Sequence, residues 1–139
     1  MIIIRKMVLD DLFRGFLETL SYLKPTLLTG LDAIRIFHSR KKAGIITLVA
    51  VESKVVGTAS IVIEEKYINK GGLCAHIEDV AVHKKCRGKG IGKALVKACL
   101  KYAKVKGCYK SVLVCNDSLI DFYKDIGFVA KDNHMRVDF

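Results

Sequence analysis

The segment Arg87-Gly88-Lys89-Gly90-Ile91-Gly92 has the residue types and spacing that most directly suggest chemistry in this chain. It fits the pattern R-x-x-G-x-G, follows an apolar run ending at Val82, and opens a lysine-rich amphipathic stretch from Ile91 to Lys106. Glycine lets the backbone approach a ligand closely, and the first N–H groups of a helix lack intrahelical partners. A strand, a glycine turn and a helix start in this order predict a site for a pyrophosphate.

The elements that must position this turn follow from the hydrophobic periodicity of the rest of the chain. The pattern predicts strands first and then β-α-β-α-β, which is a mixed α/β sheet with helices packed on it. A dinucleotide-binding domain would carry its glycine turn after the first strand, so the order differs. The predicted strands are 2–7, 45–52, 55–64, 73–82, 111–115 and 128–138, and the main predicted helices are 31–42, 91–105 and 119–126.

Length and composition limit the classes of protein to which the chain can belong. We expect one domain over residues 1–139, because the length suits a single core and 51% of the residues are hydrophobic. No apolar run is long enough for a membrane span, and the first residues do not resemble a signal peptide, so we expect a cytoplasmic protein. The five cysteines are scattered and show no metal-ligand spacing, so we expect no metal.

The charge balance is strongly basic, with a net charge of +10 from 24 basic and 14 acidic residues. Such a balance attracts anions without identifying them. Three interpretations stay open here: a nucleic acid, a phosphorylated small molecule, or a solvated basic surface. Aromatic residues are 8% of the chain and are not interleaved with the basic ones as a base-stacking platform requires, so nothing beyond net charge favours nucleic acid.

Two separated motifs resemble those of the GCN5-related N-acetyltransferases. The first is the glycine turn after the predicted fourth strand. The second is Asn116 followed seven residues later by a tyrosine in Phe122-Tyr123, and then by Gly127-Phe128. The resemblance implies the fold of that superfamily, a central, twisted, mostly antiparallel sheet flanked by helices. It also implies acetyl-CoA as the co-substrate.

Within that superfamily the chain is similar to the glucosamine-6-phosphate N-acetyltransferases of eukaryotes. The least generic similar segments are Ile77-Glu78-Asp79-Val80 and Cys108-Tyr109-Lys110. The resemblance implies direct attack of the sugar amine on the thioester, without a covalent enzyme intermediate, in UDP-GlcNAc biosynthesis. It also implies a homodimer in which the final strand contributes to the partner's site.

The resemblance implies two sets of residues around acetyl-CoA. Backbone N–H groups of the glycine turn hold the pyrophosphate, and the end of the fourth strand pairs with the pantetheine. Tyr123 is the expected general acid towards the departing thiolate, with packing as a core tyrosine beside Phe122 as the alternative. The cofactor-binding residues expected are Val80, Ala81, Val82, Arg87, Gly88, Lys89, Gly90, Ile91, Gly92, Asn116 and Tyr123.

For the sugar, the resemblance places Glu78 and Asp79 at the hydroxyls and the amine; the alternative is that backbone N–H groups satisfy both carboxylates. Adjacent strand residues face opposite sides, so alternation alone does not make these two an acid/base dyad. The residues nominated for the phosphosugar are Thr26, Lys66, Tyr67, Ile68, Glu78, Asp79, Tyr109, Lys110 and Arg136. The family has an arginine three positions after the methionine of its last strand, where this chain has Asp138. Arg136 lies two residues away on the same predicted strand face, so a small change of register would restore the contact.

Two other functions stay open on sequence grounds. One is acetyl transfer by the same fold to another amine, such as a protein N-terminus or a lysine. The other is a non-catalytic module that binds acyl-CoA or nucleic acid. A polyamine acceptor is disfavoured, because it would need acidic residues that a basic chain offers sparingly.

Overall fold

The computed structural model describes residues 1–139, and its regular elements follow one another in mixed order along the chain. Short 3-10 turns occupy Leu9–Phe13, Lys84–Cys86 and Asp117–Leu119. The strands are β1 (Ile3–Lys6), β2 (Ile46–Val51), β3 (Val55–Glu65), β4 (Leu73–Val82) and β5 (Cys108–Val112). The helices are α1 (Phe16–Ser21), α2 (Gly30–Lys42), α3 (Ile68–Gly71), α4 (Ile91–Val105) and α5 (Ile120–Ile126).

The five strands form one sheet in the order β1-β2-β3-β4-β5. Neighbours from β1 to β4 pair antiparallel, whereas β5 pairs parallel to β4. This confirms the predicted mixed α/β sheet, mostly antiparallel and flanked by helices. The β4–β5 pairing ends at His76 opposite Val112, and β4 then continues to Val82 with β3 as its only neighbour.

The helices pack on opposite faces of the sheet. On one face, α4 buries Leu95 and Cys99 in a core that includes Ile61 and Ile77. Gly57 lies under this helix, and a Cβ there would come within 2.8 Å of Leu95 Cδ1, so the close approach requires glycine. On the other face, Ser60 and its neighbours line a cavity together with residues of α1 and α2.

A bulge interrupts β4 in its middle. Thr58 pairs with Ala81 and Ser60 pairs with Glu78, so two residues of β4 lie opposite Ala59 alone. Asp79 sits in this bulge with a φ of 51°. A β-bulge breaks the ladder locally and re-aims the side chains beside it.

Three sequence predictions are corrected by the structure. The predicted strand 128–138 is absent, because residues 129–139 are exposed and have no neighbouring strand to pair with. The strand predicted at 111–115 lies at Cys108–Val112 instead, because its pairing with β4 begins at Leu73 opposite Cys108. The side chains of Glu78 and Asp79 do not alternate between the two faces of the sheet, because of the bulge.

None of the helices has both the length and the apolar character needed to cross a membrane.

Candidate active site

The glycine turn presents a continuous run of free backbone donors. The N–H groups of residues 88–93 donate to no backbone carbonyl, and the first bond of the helix runs from Ala94 N to Gly90 O at 3.0 Å. Gly88 and Gly90 have φ values of 80° and 78°, a region that glycine enters without strain. The N-terminus of α4 also carries partial positive charge. This cradle fits a pyrophosphate.

The cradle connects directly to the end of β4. The side chain of Arg87 folds back, and its Nε donates to the carbonyl oxygen of Val82 at 3.2 Å. Beyond His76 the edge of β4 that faces β5 is unpaired, including the segment Val80, Ala81 and Val82. An extended ligand lying between the separating strands would therefore find free backbone groups on β4. At Val82 it would have to displace Arg87.

Tyr123 lies in α5 and is buried, with 7% of its surface exposed. Its ring makes edge contacts with Phe122 at 4.9 Å and Phe128 at 5.7 Å between centroids. The Tyr123 hydroxyl forms no hydrogen bond within the chain. Every fully enclosed side-chain N or O atom does have a partner, so the Tyr123 oxygen is not fully enclosed and remains accessible. Burial, helped by nearby Cys115 and Cys99, raises the pKa of Tyr123, which keeps the phenol protonated at neutral pH.

The helix that carries Tyr123 is held in two ways. Gly127 ends it in a left-handed conformation with a φ of 119°, and Phe128 N donates to Tyr123 O at 3.1 Å. Asp125 also pairs with Lys93 in the first turn of α4. This ion pair connects α5, which carries Tyr123, to α4, which starts at the glycine turn.

The two carboxylates of β4 lie on the side of the sheet opposite to α4. Glu78 is the cross-strand partner of Ser60 and so shares its face, while Asp79 lines the cavity together with Ser60. Both are exposed, and neither belongs to any ion pair of the chain. The bulge therefore brings together two free carboxylates that strict alternation would have separated.

A basic cluster lies on the same face, nearer the start of β4. Glu64 accepts hydrogen bonds from Lys66 Nζ and His76 Nε2, each at 2.9 Å. The bond to Lys66, followed by that to His76, lowers the pKa of Glu64, and Glu64 in turn raises the pKa of Lys66. His76 precedes Glu78 by two residues, which on one strand face is about 7 Å. Glu78 is therefore the next residue of β4 after His76 on this face of the sheet.

Tyr109 and Lys110 join this cluster from β5. A Cβ on Gly72 would approach Tyr109 Cδ1 to 2.7 Å, so the ring lies directly on that glycine, while Lys66 N donates to Gly72 O at 2.9 Å. Lys110 Nζ is 5.7 Å from the centre of the Tyr109 ring. Three of the residues nominated for a sugar phosphate are therefore assembled at one end of the sheet.

The remaining nominated residues are not drawn into that cluster by any contact in the chain. Thr26 lies between α1 and α2, with its hydroxyl 3.2 Å from that of Ser21. Tyr67 and Ile68 are exposed at the β3–β4 connection. Asn116 precedes the 3-10 turn before α5. Arg136 donates from Nε to Asp138 at 2.6 Å in the exposed C-terminal segment.

Sequence reasoning missed a hydrogen-bonded network that joins the buried His83, just before the glycine turn, to the exposed Glu18 and Lys54. His83 is 6% exposed and follows β4; its Nδ1 accepts the N–H of Lys85, so its Nε2 carries the proton that is donated to Glu18 at 2.9 Å. Lys54 also bonds Glu18, at 2.7 Å, and these two bonds lower the pKa of Glu18 to about 2. No spacing rule links residues so far apart in the chain. The role of Glu64 as a partner of Lys66 could have been predicted, because residues two apart in a strand lie on the same face.

Comparison with known proteins finds the same likeness along most of the chain. The profile of the acetyltransferase (GNAT) family matches residues 8–128. Glucosamine 6-phosphate N-acetyltransferase of Trypanosoma brucei brucei is 38% identical over 114 residues, which cover 80% of this chain and 78% of that protein. Glucosamine 6-phosphate N-acetyltransferase 1 of Oryza sativa subsp. japonica is 33% identical over 142 residues, 98% of this chain and 86% of its own.

A solved structure agrees in shape. The crystal structure of glucosamine-6-phosphate N-acetyltransferase from Arabidopsis thaliana superposes with a TM-score of 0.96 at 33% identity, covering 100% of this chain and 99% of that chain. The overall fold described above is therefore shared with this plant protein.

Proposed function

The chain belongs to the acetyltransferase (GNAT) family, and we propose that it transfers the acetyl group of acetyl-CoA to the amine of D-glucosamine 6-phosphate as a single domain over residues 1–139. The products are N-acetyl-D-glucosamine 6-phosphate and CoA. The names of the relatives from Trypanosoma brucei brucei and Oryza sativa subsp. japonica support this substrate. One observation of the fold carries the proposal: free carboxylates at the β4 bulge lie between an anion cradle and a basic cluster.

The cradle at residues 87–92 would hold the pyrophosphate of acetyl-CoA through main-chain N–H groups. Such binding depends on backbone geometry, so Lys89 and Ile91 contribute through their main chain. Arg87 would release Val82 O as the pantetheine pairs with the free edge of Val80, Ala81 and Val82. Asn116 would lie at the mouth of the opening between β4 and β5.

Chemistry at the thioester needs a stabilised oxyanion, a neutral amine and a proton for the leaving sulfur. A main-chain N–H near Val80 would polarise the carbonyl as its oxygen becomes negative. Glu78 and Asp79 would bind the ammonium and sugar hydroxyls and accept the amine proton, directly or through water. Tyr123 would donate its proton to the departing thiolate. The same buried surroundings that raise the pKa of the phenol also disfavour a free thiolate, which restores the match between donor and acceptor.

The phosphate would bind at the basic cluster of Lys66, Tyr109 and Lys110, with Thr26 and the main chain of Tyr67 and Ile68 completing the acceptor site. Glu64 holds Lys66 in place before the phosphate arrives. Lysine and hydroxyl donors suit a phosphate dianion.

We propose a homodimer, because the C-terminal segment leaves apolar side chains exposed in the single chain. Met135, Val137 and Phe139 alternate with Arg136 and Asp138, and all three apolar side chains are exposed. β5 is an edge strand of the sheet and leaves one side unpaired. Pairing this segment with a second copy would bury the apolar stripe and bring Arg136 towards the partner's site.

The acetyl transfer is tested by CoA thiol release from acetyl-CoA with four acceptors: glucosamine 6-phosphate, glucosamine, a lysine peptide and none. Turnover that depends on the 6-phosphate supports the proposal. Turnover with the peptide alone would assign another amine to the site. Binding of acetyl-CoA without turnover on any amine would make the chain a binding module.

A further inference from the structure

The cavity lined by Ser60 and Asp79 lies between the sheet and the helices α1 and α2, on the face opposite to α4. Its volume is about 260 Å³, and eleven of its eighteen lining residues are hydrophobic. Leu12, Phe16 and Leu20 contribute from one side and Ile36 and Phe37 of α2 from the other. An apolar cavity of roughly 150 Å³ in another protein takes up benzene, so this one has room for a longer hydrocarbon group.

The guanidinium-bearing side chain of Arg40 lines this mostly apolar cavity. Arg40 lies in α2 and is half-buried. Its Nη2 donates to Ser60 Oγ at 2.7 Å and to Thr47 Oγ1 at 3.3 Å, and both acceptors are neutral hydroxyls. It belongs to no ion pair, whereas the other partly buried arginine on this side of the sheet, Arg5, binds Asp11 with two bonds. The guanidinium charge of Arg40 therefore has no anionic partner within the chain, although its partial burial favours one.

None of the other polar residues that line the cavity forms an ion pair with Arg40. Thr58 donates its hydroxyl proton to Leu48 O at 2.9 Å. Lys6 directs its ammonium to the ring of Tyr102 on the other face, 5.4 Å away. Lys41 adds a second positive charge, and Asp79 is the single acid of the lining. The guanidinium keeps its Nη1 and Nε donors free of partners within the chain.

We propose that this cavity binds a medium-chain carboxylate, with its head group on Arg40 and its alkyl chain among the side chains of α1 and α2. A fork of guanidinium donors matches a carboxylate, and hydrocarbon walls match an alkyl chain. A phosphosugar does not fit these walls, since its hydroxyls would lose their hydrogen bonds to water. Of the residues nominated for acetyl-CoA and the sugar, Asp79 alone belongs to the lining. The carboxylate site therefore adjoins the proposed acceptor site at Asp79.

The test is isothermal titration of the full chain with butanoate, hexanoate, octanoate and octan-1-ol. Each methylene buried should tighten binding by about fourfold until the cavity is full. Octanoate should bind at least about tenfold more tightly than octan-1-ol, because a hydrogen-bonded charge is lost with the alcohol. No heat with octanoate, or equal affinity for acid and alcohol, would overturn the proposal.

Variants locate the head group. Arg40→Met should weaken octanoate about tenfold or more and leave octan-1-ol unchanged, because only the carboxylate uses the guanidinium. Arg35→Met on the same helix is the matched control, since Arg35 is exposed and does not line the cavity. Unchanged thermal unfolding and acetyl-CoA binding establish that both variants fold. If Arg40→Met raises the KM for glucosamine 6-phosphate and leaves octanoate binding intact, the guanidinium serves the acceptor and the proposal is wrong.

Discussion

At the scale of single residues, Tyr123 combines two properties that a proton donor to sulfur needs. It is buried, and its raised pKa keeps the proton on the phenol at neutral pH. Its hydroxyl has no partner in the chain, so it remains available to a ligand. The ring also packs against Phe122 and Phe128, which shows that the structural and catalytic interpretations of this residue are compatible.

Tyr123→Phe should lower kcat about 100-fold, because the ring contacts remain and only the proton donor is removed. Acetyl-CoA affinity, measured by titration calorimetry, should stay within about twofold, since the cradle is untouched. Tyr102→Phe, a half-buried tyrosine of α4, is the control and should keep the full kcat. An unchanged kcat in Tyr123→Phe would remove the phenol from the mechanism.

The Arg5–Asp11 pair carries a pH-dependent part of the stability. Asp11 is 4% exposed, and the bonds from Arg5 lower its pKa below the usual value of about 4. A lowered carboxyl pKa stabilises the fold above that usual value, and the stabilisation is lost as pH falls through the folded-state pKa. Asp11 also accepts the N–H of Val8 at 2.8 Å, so it holds the turn after β1.

Arg5→Met should reduce the free energy of unfolding by about 1–3 kcal/mol at pH 7, a range discounted because the Arg5 side chain is 39% exposed. Urea unfolding at pH 7 and at about pH 2.5 measures it, and the difference from the parent should shrink at the lower pH. Arg35→Met, whose pair with Asp32 is exposed, should change little. A loss that is equal at both pH values would contradict the assignment.

At the scale of elements, the bulge of β4 decides where the site carboxylates lie. Asp79 adopts a φ of 51°, which an aspartate tolerates and a β-branched residue does not. The bulge puts Glu78 and Asp79 on one side of the sheet, and it lies beyond His76, where β4 is no longer paired with β5. Substitutions at Asp79 can therefore test the backbone conformation and the role of the carboxylate separately.

Asp79→Val should lower the free energy of unfolding by about 1–2 kcal/mol, because valine is strained in the left-handed region. Asp79→Asn should leave stability nearly unchanged, since asparagine accepts this conformation, but should weaken acceptor turnover. Denaturant unfolding and kcat/KM for glucosamine 6-phosphate, measured on both variants, give the comparison. Equal stability of the two variants would show that the φ at this position is not constrained.

The elements around the glycine turn were predictable from sequence, and the breaks in regularity were not. β4 occurs at Leu73–Val82 as its apolar run predicts, and α4 begins at Ile91 after its glycine turn. The bulge was missed because it depends on the register between β3 and β4, which composition does not encode. The last predicted strand fails for another reason: its alternating pattern is present, but a strand needs a neighbour to pair with.

At the scale of the whole molecule, the single chain leaves the outer edge of β5 and one apolar segment unpaired. β5 is one of the two edge strands, and residues 129–139 are exposed throughout. The net charge of +10 suits two phosphorylated ligands, acetyl-CoA and a sugar phosphate, in the same proposed site.

Light scattering after size-exclusion chromatography should give twice the chain mass of 15.5 kDa. Val137→Lys should shift the protein towards the monomer, because it places a charge in the apolar stripe of the C-terminal segment. Asp138→Asn, on the alternate set of side chains, should keep the dimer. A parent protein that runs as a monomer at all concentrations would refute this assembly.

The recognition of the phosphate tests the proposed acceptor most directly. It is measured as kcat/KM for glucosamine 6-phosphate and for glucosamine, in the parent chain and in Lys66→Met, with Lys101→Met of α4 as the exposed control. We expect the parent to favour the phosphorylated sugar strongly. Lys66→Met should lower kcat/KM for that sugar by about 10- to 100-fold and leave glucosamine unchanged. A parent chain that uses both sugars equally well, or neither, would contradict the account.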